Sequence, residues 1–270
     1  MTDLPLIPDL DLVRQVHDIE AAYTASRLSV LGRLANNPVG VEIRDLGDGG
    51  RFLQARYIPN NHFNRVAGLT DTHAGQLESL ARTYAERGIR NAFDVVPGLT
   101  PTTVLNELRR LGYGHDRFHT ASVGRPRAAP DTAPGVTVEK VTVATLEEFL
   151  DCHCRGWGVG DPEGFKANVR GWLTEPGWNL YLARVYDRPA ATAILFIQGG
   201  QAYCADSACD PEFRGRGAHS ALLGRRLEDA GKMGCEIVSA GADFMSTSHR
   251  NMLRAGFSTL YTKSVWMKPA

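Results

Sequence analysis

Residues 203–227 read YCADSACDPEFRGRGAHSALLGRRL. A strand-like run ends near Cys209, a short loop carries Arg214, Gly215, Arg216 and Gly217, and a helix begins at Ala218. The first backbone N–H groups of a helix have no partner inside it and carry partial positive charge. Glycines at 215 and 217 allow a sharp turn and a close approach of the backbone to a ligand. Arg214 and Arg216 add positive charge. The combination is an anion site suited to a phosphate or pyrophosphate.

The flanking sequence sets the fold around this loop. Leu180–Val185, Ala191–Ile197 and Ala202–Cys209 read as strands, joined by a turn at Tyr186-Asp187-Arg188-Pro189 and a tight hairpin at Gly199-Gly200. Ahead of them, Thr145-x-x-Glu148 reads as a capping box, and Asp161-Pro162 opens a helix with Phe165, Val169 and Trp172 on its inner side. Behind the loop come a helix over Ala218–Met233, a strand over Glu236–Ala240, a helix near Ser248–Ala255 stopped by Gly256, and a strand over Leu260–Met267. Helices, a three-strand meander, then helix, strand, helix, strand is a mixed α+β sheet, not a strictly alternating parallel one.

Three phosphate-binding patterns compete for the loop. A P-loop needs Gly-Lys-Ser/Thr at its end, which is missing. A dinucleotide fingerprint needs a third glycine at Ser220 and a first βαβ strand, whereas these strands form hairpins. The third pattern, R-x-x-G-x-G/A after the last meander strand, is the pyrophosphate loop of the GNAT acyltransferase superfamily, and Arg214-Gly215-Arg216-Gly217-Ala218-His219 resembles it. His219 stands where Gly or Ala is usual. Pro211 and the helix start Ser-Ala-Leu-Leu at 220–223 strengthen the likeness, which spans residues 136–270.

The resemblance implies a GNAT-type sheet and an N-acetyltransferase with acetyl-CoA as donor and a small-molecule amine as acceptor. It places pyrophosphate on the backbone of Arg214, Gly215, Arg216, Gly217, Ala218, His219 and Ser220, and the pantetheine arm on Ser207, Ala208 and Cys209. Asp206, the one carboxylate inside its strand, is then the candidate base. The alternative is a structural pairing on the opposite side, and a bulge in the strand would decide which way it faces. The family's usual acid, a Tyr four residues before the Gly of Gly-Phe, is replaced by Met252, which has no proton to give. Asn251, His249, Ser248, Tyr261 or solvent are the substitutes. Asn251 also belongs to a Ser-x-x-Asn pattern at 248–251, read either as facing the cofactor arm or as helix capping. Trp157 is free to line an acceptor pocket, while Trp172 belongs to the core. A CoA-binding module without turnover and a mycothiol-synthase-like acetyltransferase are the other functional readings.

The first half repeats the later order. A helix carries Leu12, Val16, Ile19 and Tyr23 at helical spacing; strands follow at Val39–Leu46 and Arg51–Ile58. Then come a helix over Gly75–Arg87, a strand over Asn91–Val96, a helix opened by Thr100-Pro101, and a strand over Phe118–Val123. The last helix ends in Leu-Gly-Tyr at 111–113, against Ala-Gly-Phe at 255–257. This reads as a duplicated unit with a diverged first copy, similar to tandem GNAT proteins such as mycothiol synthase; two unrelated α+β halves are the alternative. The matching place, Phe63–Leu69, lacks the arginine–glycine loop, so no cofactor site is expected there. GRPRAAPDTAPG at 124–135 reads as a linker between domains at 1–123 and 136–270.

Composition bounds the remainder. Of 270 residues, 43% are hydrophobic and 22% charged, and 30 Lys and Arg balance 30 Asp and Glu. That balance argues against nucleic acid or an anionic membrane as partner. The N-terminus, with its acids and prolines, does not read as a signal peptide, and no apolar run has membrane-spanning length, so a cytoplasmic protein is expected. Five cysteines then read as reduced thiols. Cys152-His153-Cys154 has no second pair at zinc spacing, and no metal is expected.

Overall fold

The computed structural model describes residues 8–160 and 162–269. Its helices are α1 (Leu10–Gly32), α2 (Leu77–Glu86), α3 (Thr102–Arg110), α4 (Leu146–Trp157), α5 (Pro162–Arg170), α6 (Ala218–Lys232) and α7 (Thr247–Arg254). Its strands are β1 (Val41–Gly47), β2 (Gly50–Ala55), β3 (Arg65–Ala67), β4 (Ala92–Val95), β5 (Gly114–Gly124) and β6 (Val136–Lys140). They continue with β7 (Trp178–Val185), β8 (Arg188–Gln198), β9 (Gln201–Cys209), β10 (Val238–Ala242) and β11 (Ser258–Met267). The chain is α+β and forms two compact units. One holds the described residues up to Ser122, Ala242–His249 and those from Thr259 onward; the other holds Val123–Gly241 and Arg250–Ser258.

In the first unit α1 starts where Asp9 accepts a hydrogen bond from Leu12 N–H at 2.7 Å. Leu12, Val16, Ile19 and Tyr23 are all buried, as their spacing requires. The strand order is β1-β2-β3-β4-β11-β5. β1, β2 and β3 run antiparallel, whereas β3 and β4 run parallel with α2 as the crossover. Phe52, Tyr84, Phe93, Leu108, Tyr113 and Trp266 share one buried cluster. The C-terminal strand β11 pairs antiparallel with β4, Trp266 facing Phe93 and Ser264 facing Val95. A cut at residue 135 would separate β11 from the sheet it completes.

The second unit repeats the plan. Its strand order is β10-β9-β8-β7-β6, a meander followed by a parallel β9/β10 pair with α6 as the crossover. Tyr181 of β7 donates to Asp229 of α6 at 2.9 Å, and Thr192 of β8 meets His153 of α4 at 2.7 Å. Tyr181 pairs with Ala193, so Thr192 points to the other face. α6 and α4 therefore cover opposite faces of this sheet. Trp172 is fully buried and Trp157 is exposed. Asp161 lies outside the described residues.

Three local expectations change. β3 has three residues, too few to show a period, and β6 went unread despite its alternating Val-Thr-Val. The capping box ahead of α4 is formed by Thr142 and Thr145, and Thr145 makes no side-chain cap of its own. The stretch 124–135 is no free linker, because it lies along a glycine stripe on α6. A Cβ on Gly217 would come 3.0 Å from Ala133 Cβ, one on Gly224 2.8 Å from Pro130 Cδ, and one on Gly231 3.0 Å from Pro126 Cβ. The three glycines recur every two turns, which keeps them on one face.

Filling that groove should loosen the strap. In Gly224→Leu, overpacking of about 1–3 kcal/mol is expected to lift it. Tryptic cleavage after the exposed Arg127 should then speed up at least about tenfold. Limited proteolysis with the intact chain's melting temperature checks this; cleavage no faster than wild type would show that the strap is held elsewhere.

Candidate active site

The site begins with an irregular strand. β9 pairs with β8 so that Thr192 faces Ala208 while Ile194 faces Ala205: three steps on β9 match two on β8. Asp206 occupies the extra position with φ +39°, a backbone state that Asp and Asn tolerate better than most residues. Such a bulge twists the strand and re-aims the side chains on it.

Arg226, a residue the sequence reading passed over, secures the bulge. It projects from α6, is 1% exposed, and donates to Ile194 O at 3.0 Å, Ala205 O at 3.3 Å and Ser207 Oγ at 3.0 Å. Its Nε also donates to Leu222 O at 3.1 Å. One guanidinium thus ties α6 to both strands of the irregular pair. The signal was present in the sequence, because Arg226 stands four residues after buried Leu222 and so on the same helix face.

On its other edge β9 pairs with β10 only at Ala202, Tyr203 and Cys204, opposite Val238, Ser239 and Ala240. From Ala205 onward this edge has no strand beside it among the described residues. Ser207, Ala208 and Cys209 lie there. Gly156 of α4 lets the helix sit against them, since a Cβ on it would come 2.8 Å from Ala208 Cβ.

The loop follows directly. Asp210 caps the turn Pro211–Phe213 by accepting from Glu212 N–H at 3.1 Å, and Arg155 donates to its other oxygen at 2.6 Å. Arg188 grips Glu212 with two bonds of 2.7 and 2.9 Å. Gly215 and Gly217 have φ of +76° and +85°. Ala221 N–H bonds Gly217 O at 3.0 Å, so the amides of Ala218, His219 and Ser220 precede the first intrahelical bond of α6. Arg214, Gly215 and Arg216 are exposed, and a Cβ on Gly215 would meet nothing within 4 Å. The loop is therefore an open, positive cradle of backbone donors.

A sequence model of the acetyltransferase (GNAT) domain matches residues 124–245. That stretch is similar to a GNAT acetyltransferase domain. No curated protein matches the sequence significantly. Among solved structures, a GCN5-related N-acetyltransferase from Kribbella flavida is 17% identical with a TM-score of 0.67, over 93% of this chain and 96% of that one. One from Sphaerobacter thermophilus is 14% identical with a TM-score of 0.62, over 98% and 96%. A tandem GNAT protein from the clavulanic acid biosynthesis pathway is 15% identical with a TM-score of 0.63, over 99% and 98%. At these identities the likeness is one of fold, and it extends over both halves.

The remaining candidates separate. His219, at the position where Gly or Ala is usual, is half-buried, and burial followed by the nearby Arg226 holds its imidazole down to about 4. It is neutral near pH 7, and Asn251 Nδ2 lies 3.3 Å from its Nδ1. Asn251 Oδ1 in turn accepts from Arg254 at 2.7 Å. The structure thus joins Asn251 to the start of α6. His249 lies on the same helix, α7, but its Nδ1 accepts from Met245 N–H at 3.0 Å and its Nε2 meets Thr259 Oγ1 at 2.9 Å. With both nitrogens engaged and 1% exposure, it fixes a loop and has no free position for proton transfer. Ser248 lies on α7 as well, and burial pushes the Tyr261 phenol well up. Met252 is buried, and Phe257 N–H bonds its carbonyl at 3.0 Å.

Among the described residues no helix is long and apolar enough to cross a membrane.

Proposed function

We propose that the second unit is an N-acetyltransferase that moves an acetyl group from acetyl-CoA to the amine of a small molecule. The carrying observation is one continuous run of backbone, from the bulge at Asp206 through the unpaired edge at Ser207–Cys209 to the glycine cradle before α6. The cradle fits a pyrophosphate by its donors, its charge and the clear space over Gly215. The open strand edge offers N–H and C=O groups to an amide-bearing arm such as pantetheine.

Acetyl-CoA supplies an activated thioester. The residues of this chain do the rest. Asp206, held in the bulge, takes a proton from the incoming ammonium, directly or through water, because only the neutral amine is a nucleophile. Arg226 positions it through Ala205 and Ser207 on either side. With Met252 in the family's acid position, the departing thiolate takes its proton from solvent; a thiol pKa near ~8.5 makes that leaving group tolerable.

In the first unit the corresponding loop does not suit a pyrophosphate. Asp48 stands beside Thr70 there, its carboxylate accepting from the Thr70 hydroxyl at 2.5 Å. Arg65, the arginine nearest that loop in sequence, is buried in an ion pair with Asp94 at 3.0 Å.

Calorimetric titration with acetyl-CoA should give one site per chain. A thiol-release screen over an amine panel should then find turnover. A stoichiometry of two would place a second site in the first unit. Binding with no thiol released over the whole panel would make the protein a CoA-binding module, the reading that Met252 favours.

A further inference from the structure

The first unit contains a cavity of about 190 Å³ with an opening to solvent, the share of roughly six liquid waters. Its rim is stitched. Thr70 and Thr72 both donate to Asp48, and His73 accepts from Thr70 N–H at 3.0 Å while its Nε2 meets Gly47 O at 2.9 Å. Gly68 passes so close to the Gly49 carbonyl that a Cβ there would come within 2.1 Å of its oxygen. This rim is held before any ligand arrives.

The wall contributed by α1 carries Arg14, His17 and Asp18. His17 is 2% exposed, and neither ring nitrogen has a hydrogen-bond partner among the described residues. A buried imidazole left so is costly unless something else satisfies it. Behind it, Lys263 bonds Glu20 at 2.6 Å and Asp94 at 3.1 Å, and Arg65 bonds Asp94 at 3.0 Å. Those two cations and two anions balance one another and ask no charge of a ligand. Burial, then Lys263, holds the His17 pKa down to about 4, so the ring stays neutral with one lone pair and one N–H to offer. Arg14 and Asp18 are four residues apart on α1 and present opposite charges. Leu69, Val96 and Leu99 supply the apolar lining.

We propose that this cavity binds a small zwitterion of the α-amino-acid type. Its carboxylate meets Arg14, its ammonium is shared between Asp18 and the His17 lone pair, and a short aliphatic side chain lies against Leu69, Val96 and Leu99. A neutral His17 accepts from an ammonium without repelling it. The site is separate from the acyl-transfer reading and does not depend on it.

The test uses the full chain, labelled with nitrogen-15 at histidine, without acetyl-CoA. The probes are L-leucine and its two single-charge analogues, 3-methylbutylamine and 4-methylpentanoate. The His17 ring signals are assigned by their loss in His17→Gln. L-Leucine should shift them saturably at millimolar concentration or below, with each analogue at least about tenfold weaker. Asp18→Asn and Arg14→Gln, both at exposed positions of α1, should each weaken L-leucine by a similar factor and leave the melting temperature unchanged. The proposal is overturned if L-leucine gives no saturable shift, if either analogue binds as well, or if neither substitution weakens binding.

Discussion

Gly215→Asp is expected to cost the chain its affinity for acetyl-CoA while leaving the fold intact. The position has φ +76° and nothing within 4 Å of a new Cβ. An L-residue in this conformation costs about 1–2 kcal/mol, with Asp and Asn the best tolerated. The new carboxylate would stand over the amides of Ala218, His219 and Ser220, where a pyrophosphate is proposed to sit. Like charges about 4 Å apart repel by about 4 kcal/mol near a protein surface. With salt screening, a loss of affinity of at least about 100-fold, or ~2.7 kcal/mol, is expected. Gly215→Asn makes the same backbone demand without the charge and should lose far less. Gly217 is the poorer test, because its φ of +85° and the nearby Ala133 would disturb the strap as well. Calorimetry on both variants of Gly215 decides the matter; equal affinity in wild type and Gly215→Asp would remove the loop from the site.

Asp206→Asn should reduce turnover by about 10²-fold, the size of a lost general base. Asn is also accommodated at φ +39°, so the bulge should survive the change. Affinity for acetyl-CoA should hardly move, since backbone groups of Ser207–Cys209 are proposed to take the pantetheine arm. The rate deficit should shrink as pH rises, because more of the free amine is then already neutral and needs no base. Steady-state rates across pH, beside a melting curve, check each part. Wild-type rates at every pH would take Asp206 out of the mechanism and leave water as the acceptor of the proton. Loss of the fold instead would mark Asp206 as a structural partner.

The loop and the meander were legible because their signals are local. Gly199-Gly200 forces a hairpin, and arginines and glycines before a helix read as an anion site wherever they occur. The bulge was not legible, because it depends on Arg226 reaching across from α6, and an arginine in a helix reads by default as a surface cation. Yet Leu222 and Arg226 share a face, and that spacing carried the hint. His249 looked available as a proton carrier because Met245 N–H and Thr259, which occupy its two nitrogens, are placed by tertiary structure. The strap looked like a linker from its prolines and alanines alone. Its docking site was visible only as three glycines two turns apart on another element.

The place of β11 has a consequence for the order in which the protein can fold during synthesis. Trp266, Val265 and Ser264 pair with β4, which is translated about 170 residues earlier. At ribosomal speeds of 5–20 residues per second, the nascent first unit waits roughly 10–30 s for its missing strand. Through that interval β4 has a bare edge, and Glu20 and Asp94 lack the Lys263 ammonium that bonds both. With Arg65 as the one early cation facing both acids and with a bare edge on β4, the sheet of the first unit stays incomplete until β11 arrives. Arrival of β11 then completes the first unit last, although most of that unit is made first.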